Sequence, residues 1–214
     1  MTAREEILAR IQGALHVRAS DPANGHGQIE RTYTRTTSMT EHQTIDLFID
    51  RLVDYDTEVI QVSNDAGIAA AVAQSMTKAQ ETALLAPAGF PQEWLPSGIA
   101  ITFDESLSHE ALDAEKTVIT TCEAAVASTG TIFLVHGGLQ GRRVITLLPD
   151  HHICIVRRSQ VFSVLPEALT AVTSSATKPI TTISGPSATS DIEMVRIRGV
   201  HGPRRFSVIL YGAE

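Results

Sequence analysis

The chain has 214 residues, 43% of them hydrophobic and 19% charged, and a net charge of −7. Those proportions fit a soluble globular protein, and the acidic balance argues against a nucleic-acid partner, since no basic excess is present to release counterions from phosphates. No apolar run reaches the ~20 residues of a membrane span. The two cysteines, Cys122 and Cys154, stand outside any CxxC motif and are too few to hold a structural zinc or an iron–sulfur cluster, so no metal and no cofactor is expected on this chain.

Residues 3–16 carry Ile7, Leu8, Ile11 and Leu15 at helical spacing. Glu5 and Glu6 sit where a signal peptide would begin its apolar stretch, so the segment reads as an amphipathic helix and the chain is expected to stay in the cytoplasm. Residues 17–38 lose all periodicity and contain Pro22, Asn24, Gly25 and Gly27, which suits a linker or flap. A second helix spans 41–54, with Ile45, Phe48, Ile49, Leu52 and Val53 on one side. From there strands and helices alternate: a strand at 57–62, a helix at 66–76, and strands at 82–87 and 98–103. Strands at 117–121 and 131–135 flank a short helix and can include an antiparallel pair. A strand at 152–156, a helix at 164–172 and strands at 180–184 and 205–211 complete the chain. TALLAP and HICIV are almost continuously apolar, as strands covered on both faces must be. The expectation is an α/β fold with layers, a mainly parallel sheet and flanking helices. Residues 1–38 form an extension and residues 39–214 one domain.

In such sheets ligands gather beyond the carboxyl ends of the strands, and three segments compete for that place. In TCEAAVASTGT, Ser128, Thr129, Gly130 and Thr131 offer hydroxyls and a close backbone approach, and Glu123 follows a strand end. A tight turn with a capping glutamate explains the same residues. GGLQGRR offers Arg142 and Arg143 as an anion clamp on a glycine-rich loop, without the spacing of a dinucleotide or P-loop motif; a solvated hairpin explains it equally. In ISGPSATSDIEMVRIRGVHGP, two Gly-Pro breaks, Gly185-Pro186 and Gly202-Pro203, bracket Ser187, Thr189, Asp191, Glu193 and His201. Ser190 and Glu193 match a helix capping box, while His201 between two breaks is poorly placed for core packing and suits acid–base work or an anion contact. Asp150-His151-His152 does not read as a metal site, because adjacent strand residues point to opposite faces.

The double signature GPS-x-T-x-DIE and GVHGP resembles the C-terminal signature of the LUD-domain family, and TCEAAVASTGTIFL and LLPDHHICIV are similar to its central segments. The resemblance implies a fold of the NagB/RpiA/CoA-transferase type. It also implies a role as one of three proteins that oxidise L-lactate to pyruvate, with iron–sulfur motifs on the partner proteins. It marks Thr129, Gly130, Gly185, Pro186, Ser187, Thr189, Asp191, Glu193, His201, Gly202 and Pro203 as family positions without assigning a catalytic role. Ala188 departs from the pattern, which often carries a longer polar or basic residue there, and Arg142 or Arg143 stands in for it. The expected site is a small-anion pocket where Ser187, Asp191 and His201 meet Ser128–Thr131, with Glu123, Asp191 and His201 as candidate catalytic groups. The alternatives are a transferase or cyclo-ligase enzyme acting on a CoA, phosphorylated or folate-type substrate, and a regulatory binding module.

Overall fold

The structure, a computed structural model, describes residues 2–15, 30, 32–173, 177–189, 197–199 and 201–213. It divides into two compact units, Met1–Tyr33 and Thr34–Glu214. The first contains helix α1 (Ala3–Leu15), whose first turn holds Glu5 and Glu6, the favourable end for acidic side chains, and whose Arg10 pairs with Glu6 at 2.9 Å.

The second unit opens with α2 (Glu41–Asp54). Thr40 and Gln43 form a capping box: the Gln43 amide N–H donates to Thr40 Oγ1 at 3.3 Å and the Thr40 N–H to Gln43 Oε1 at 3.0 Å. Strand β1 (Glu58–Val62), helix α3 (Ile68–Ala79), β2 (Ala83–Pro87), β3 (Ala100–Asp104), helix α4 (His109–Ala114) and β4 (Thr117–Thr121) follow. Then come β5 (Ala124–Val126), β6 (Thr131–Val135), β7 (His151–Arg157), β8 (Val161–Phe162), α5 (Leu165–Val172), β9 (Ile180–Ile183), β10 (Ala188–Thr189), β11 (Ile197–Arg198) and β12 (Arg205–Tyr211).

Six strands form a wholly parallel sheet in the order β1-β12-β7-β4-β2-β3. A second sheet, β8-β5-β6-β9, is mixed: β6 runs antiparallel to both β5 and β9. One face of the large sheet, with Cys154, Val156, Phe206, Val208 and Leu210, packs on α2 and on Ala125, Ile132 and Leu134 of the small sheet. The opposite face, with Ile119, Ile153, Ile155 and Ile209, is covered by Ile68, Ala71, Val72 and Met76 of α3. The outer face of the small sheet is sealed by Ala168 and Val172 of α5. Apolar residues on both faces of β7 and β12 explain why those segments read as continuous hydrophobic runs.

The expected parallel sheet and helices are present. The short helix expected between residues 121 and 131 is not: β5 and a single 3₁₀ turn, Ala127–Thr129, occupy it. Three residues of β5 suffice to pair with Thr131–Phe133 of β6 and carry Ala125 into the core, and tertiary pairing overrides alanine's helical preference.

Candidate functional site

The segment after β9 and the segment before β12 are sewn together by three short hydrogen bonds. The Ser187 N–H donates to the Pro203 carbonyl at 2.8 Å, the His201 N–H to Ser187 Oγ at 3.1 Å and the Gly199 N–H to the Ser187 carbonyl at 2.9 Å. Ser187 thus acts first as the clasp between the two Gly-Pro breaks. Around it lies a cavity of about 360 Å³, within the range of small-molecule sites. Gly185, Pro186, Ser187, His201, Gly202 and Pro203 line one side and Thr181 and Ile183 of β9 another, with Arg143, His152 and Phe206 among the remaining walls. A neighbouring hollow shares Arg143, His201 and Gly202 and adds Arg204.

The cavity is not where open-sheet topology suggests. It follows the carboxyl end of β9 in the small sheet, but in the large sheet it lies beside His152 and Phe206, each second in its strand, and so near the amino ends of β7 and β12. The cavity thus joins a loop at the carboxyl end of one strand to the amino ends of two others. The reason is that residues 184–187 lead out of β9 in the small sheet, while residues 201–204 lead into the amino end of β12 in the large one.

The two arginines separate. Arg142 lies over the side chain of Asp104 at the end of β3, with Nε 2.8 Å from Oδ2 and a third contact to the Leu107 carbonyl. The guanidinium beside Asp104 holds its carboxyl below the usual range. Arg142 is therefore a structural clasp. Arg142→Ala is expected to lower the unfolding free energy by about 1–3 kcal/mol, because it strips a buried carboxylate of its partner. The wild-type contribution of the pair is present above pH 3.8, the ordinary value for an aspartate, and fades as pH falls through the lowered folded value. Urea unfolding at neutral pH checks the first statement. Arg143 is exposed and lines the cavity; its carbonyl accepts from the Thr146 hydroxyl at 2.9 Å, while its guanidinium has no hydrogen bond or ion pair among the described residues.

The STGT segment has a different role from the one expected. A side chain at Gly130 would lie 3.0 Å from Arg51 Cβ, so its close approach is to α2 and not to a ligand. Thr129 Oγ1 is 2.8 Å from Thr131 Oγ1, which is 2.8 Å from Ser184 Oγ. Thr131 thus anchors the residue before Gly185, and Ser128 and Thr129 do not line the cavity. Glu123 accepts from Gln140 Nε2 at 3.1 Å and is also absent from the lining. Asp191 and Glu193 lie outside the described residues, as does the side chain of Thr189.

His151 and His152 do point to opposite faces. His151 bonds Glu81 Oε2 at 2.7 Å through Nδ1 and Ser207 Oγ at 2.9 Å through Nε2, on the α3 side. His152, in register with Val118 and Phe206, faces the cavity side. Thr181, Ser184 and His152 are the site residues that sequence reasoning passed over. The period-2 alternation of DHHICIV does carry the orientation of His152, on the same face as Cys154 and Val156. The two cysteines are free and buried, and the neighbouring Cys154 together with burial raises the Cys122 thiol well above its ordinary value, which keeps it protonated and unreactive.

A LUD-domain profile matches residues 29–211. Lactate utilization protein C of Deinococcus radiodurans is 45% identical over 168 residues, covering 77% of this chain and 78% of that protein. Lactate utilization protein C 1 of Bacillus mycoides is 36% identical over 98 residues, covering 43% of this chain and 42% of its own length. The crystal structure of a DUF162 family protein from Deinococcus radiodurans superposes with a TM-score of 0.71 at 38% identity, covering 81% of this chain and 99% of that one. The profile spans the parallel sheet, the small sheet and both Gly-Pro segments, and on that breadth the chain belongs to the LUD-domain family.

Proposed function

We propose that the chain is a cytoplasmic subunit of a lactate-utilization system that oxidises L-lactate to pyruvate, and that it binds a small carboxylate in the cavity between the two Gly-Pro segments. The observation that carries the ligand reading is the meeting of Arg143, whose guanidinium has no partner among the described residues, with the clasped GPS and HGP turns around one hollow. An arginine fork suits a carboxylate, and the turns add polar groups that orient it. Relatives bearing the name lactate utilization protein C support the pathway. The oxidation removes two electrons and two protons from the 2-hydroxy acid. Two buried thiols supply no redox centre, so in this reading the electrons pass to iron–sulfur partner proteins.

The transferase or cyclo-ligase reading has less support. It pairs Glu123 with His201, yet Glu123 is engaged with Gln140 and only His201 lines the cavity.

A strain lacking the gene is expected to lose growth on L-lactate as sole carbon source. Growth returns with the wild-type gene and fails to return with Arg143→Ala, although that variant, at an exposed position, folds normally. Lactate oxidation by the two partners at an undiminished rate without this chain would exclude the role.

A further inference from the structure

One group at the cavity has no use in the account so far. His152 is 1% exposed, lines the cavity, and packs its ring against Phe206 with centroids 5.2 Å apart. Its Nε2 lies 2.8 Å from Thr120 Oγ1. Its Nδ1 is buried and has no hydrogen-bond partner among the described residues. Buried polar nitrogens are nearly always paired, so an unpaired one on a residue that lines a cavity points to a missing ligand atom.

Counting hydrogens says what kind of atom. Burial first, and then the neighbouring His151, push the imidazole down to about 3, so the ring is neutral and carries one hydrogen. The Thr120 hydroxyl, fully buried, has one hydrogen and, among the described residues, no other partner than this ring. If Nε2–H donates to Thr120 Oγ1, the threonine hydrogen is left with nothing to bond, whatever enters the cavity. If the Thr120 hydroxyl donates to Nε2, the ring hydrogen sits on Nδ1, and an acceptor in the cavity satisfies every donor. Orphaned donors are rarer in proteins than under-used acceptors, which favours the second arrangement.

We infer that neutral His152 donates its Nδ1–H to an oxygen of the bound anion, and that it is the residue reading the 2-oxygen of a 2-oxo acid whose carboxylate Arg143 holds. The inference rests on the carboxylate site proposed above and deepens it. A keto oxygen is a pure acceptor. A 2-hydroxyl also accepts, but its own hydrogen must then find a second acceptor. The site therefore favours the oxidised acid over the hydroxy acid, the product side of the proposed reaction.

The experiment is calorimetric titration of the full chain with pyruvate and with L-lactate. The proteins are wild type, His152→Phe, His152→Asn and Arg143→Ala. The phenyl ring keeps the shape and removes the donor, while the asparagine amide places an N–H near the position of Nδ1. Wild type is expected to bind pyruvate more tightly than L-lactate. His152→Phe weakens pyruvate about tenfold or more and abolishes the preference. His152→Asn restores most of it, and Arg143→Ala weakens both acids alike. If His152→Phe binds pyruvate as wild type does while Arg143→Ala does not, the His152 assignment is overturned and the carboxylate site stands. If wild type binds neither acid, both fall. ¹⁵N spectroscopy of histidine-labelled wild type keeps the test open should His152→Phe fail to fold: the pyruvate complex must show the ring hydrogen on Nδ1, and a hydrogen on Nε2 overturns the inference.

Discussion

Gly185→Ala is expected to unfold at a temperature about 5–15 °C below wild type, a loss of roughly 2–5 kcal/mol. Two costs add. Gly185 has φ +80°, where an L side chain costs about 1–2 kcal/mol. A Cβ there would also lie 2.5 Å from Tyr55 Cβ and 3.3 Å from the Tyr55 carbonyl oxygen. Neither atom belongs to a flexible side-chain end: both ride on the backbone of the residue that terminates α2. The added methyl can be accommodated only if residues 184–187 lift away from α2, which disturbs Ser184, Ser187 and the cavity wall. Gly98→Ala is the matched control. Gly98 has φ +78° and nothing within 4 Å of an added Cβ, so it carries the backbone cost alone. Thermal melting of both variants separates the terms. Equal melting temperatures would show that the Tyr55 contact contributes nothing.

That contact illustrates which parts of the molecule the sequence reveals. The strands and most helices were legible because burial on both sheet faces leaves a composition that no exposed segment shares, as in HICIV and TALLAP. The period of two placed His151 and His152 on opposite faces before any coordinates. The two Gly-Pro breaks stand out in the sequence as well, and the structure brings Gly185, Ser187, His201 and Gly202 to one cavity with Arg143. The division between Arg142 and Arg143 was not. It depends on Asp104, at the end of a strand that touches this loop only in three dimensions. The role of Gly130 was hidden for the same reason, since Arg51 of α2 decides it. The edge of the sheet at which the cavity opens follows from strand order, and a local pattern contains no strand order. His152 escaped because it was weighed as half of a metal pair, whereas its meaning lies in Thr120 and in an Nδ1 with no partner among the described residues.

His152 also governs how the fold responds to acid. In the folded chain its pKa is lowered from 6.5 to about 3, by burial and then by the neighbouring His151. In the unfolded chain the imidazole returns to its ordinary value. Below pH 6.5 the unfolded state therefore takes up a proton that the folded state refuses, and stability falls as pH falls. The slope is about 1.4 kcal/mol per pH unit, and the interval down to the folded value amounts to about 5 kcal/mol. Asp104 and Glu58 also destabilise the fold in acid, but their folded values lie below the carboxylate references of 3.8 and 4.5, so their loss sets in at lower pH. The range from pH 6.5 to 5 thus isolates histidine. His152→Gln removes the titrating ring while its amide reaches toward Thr120 Oγ1 from the position of Nε2. Urea unfolding at both ends of that range is expected to show wild type losing about 2 kcal/mol more than His152→Gln, whatever the variant's stability at pH 6.5. Groups remote from residue 152 cancel in the difference. Parallel pH profiles would mean that His152 accepts a proton in the folded state as readily as in the unfolded one, and a charged ring could not be the neutral donor that the cavity requires.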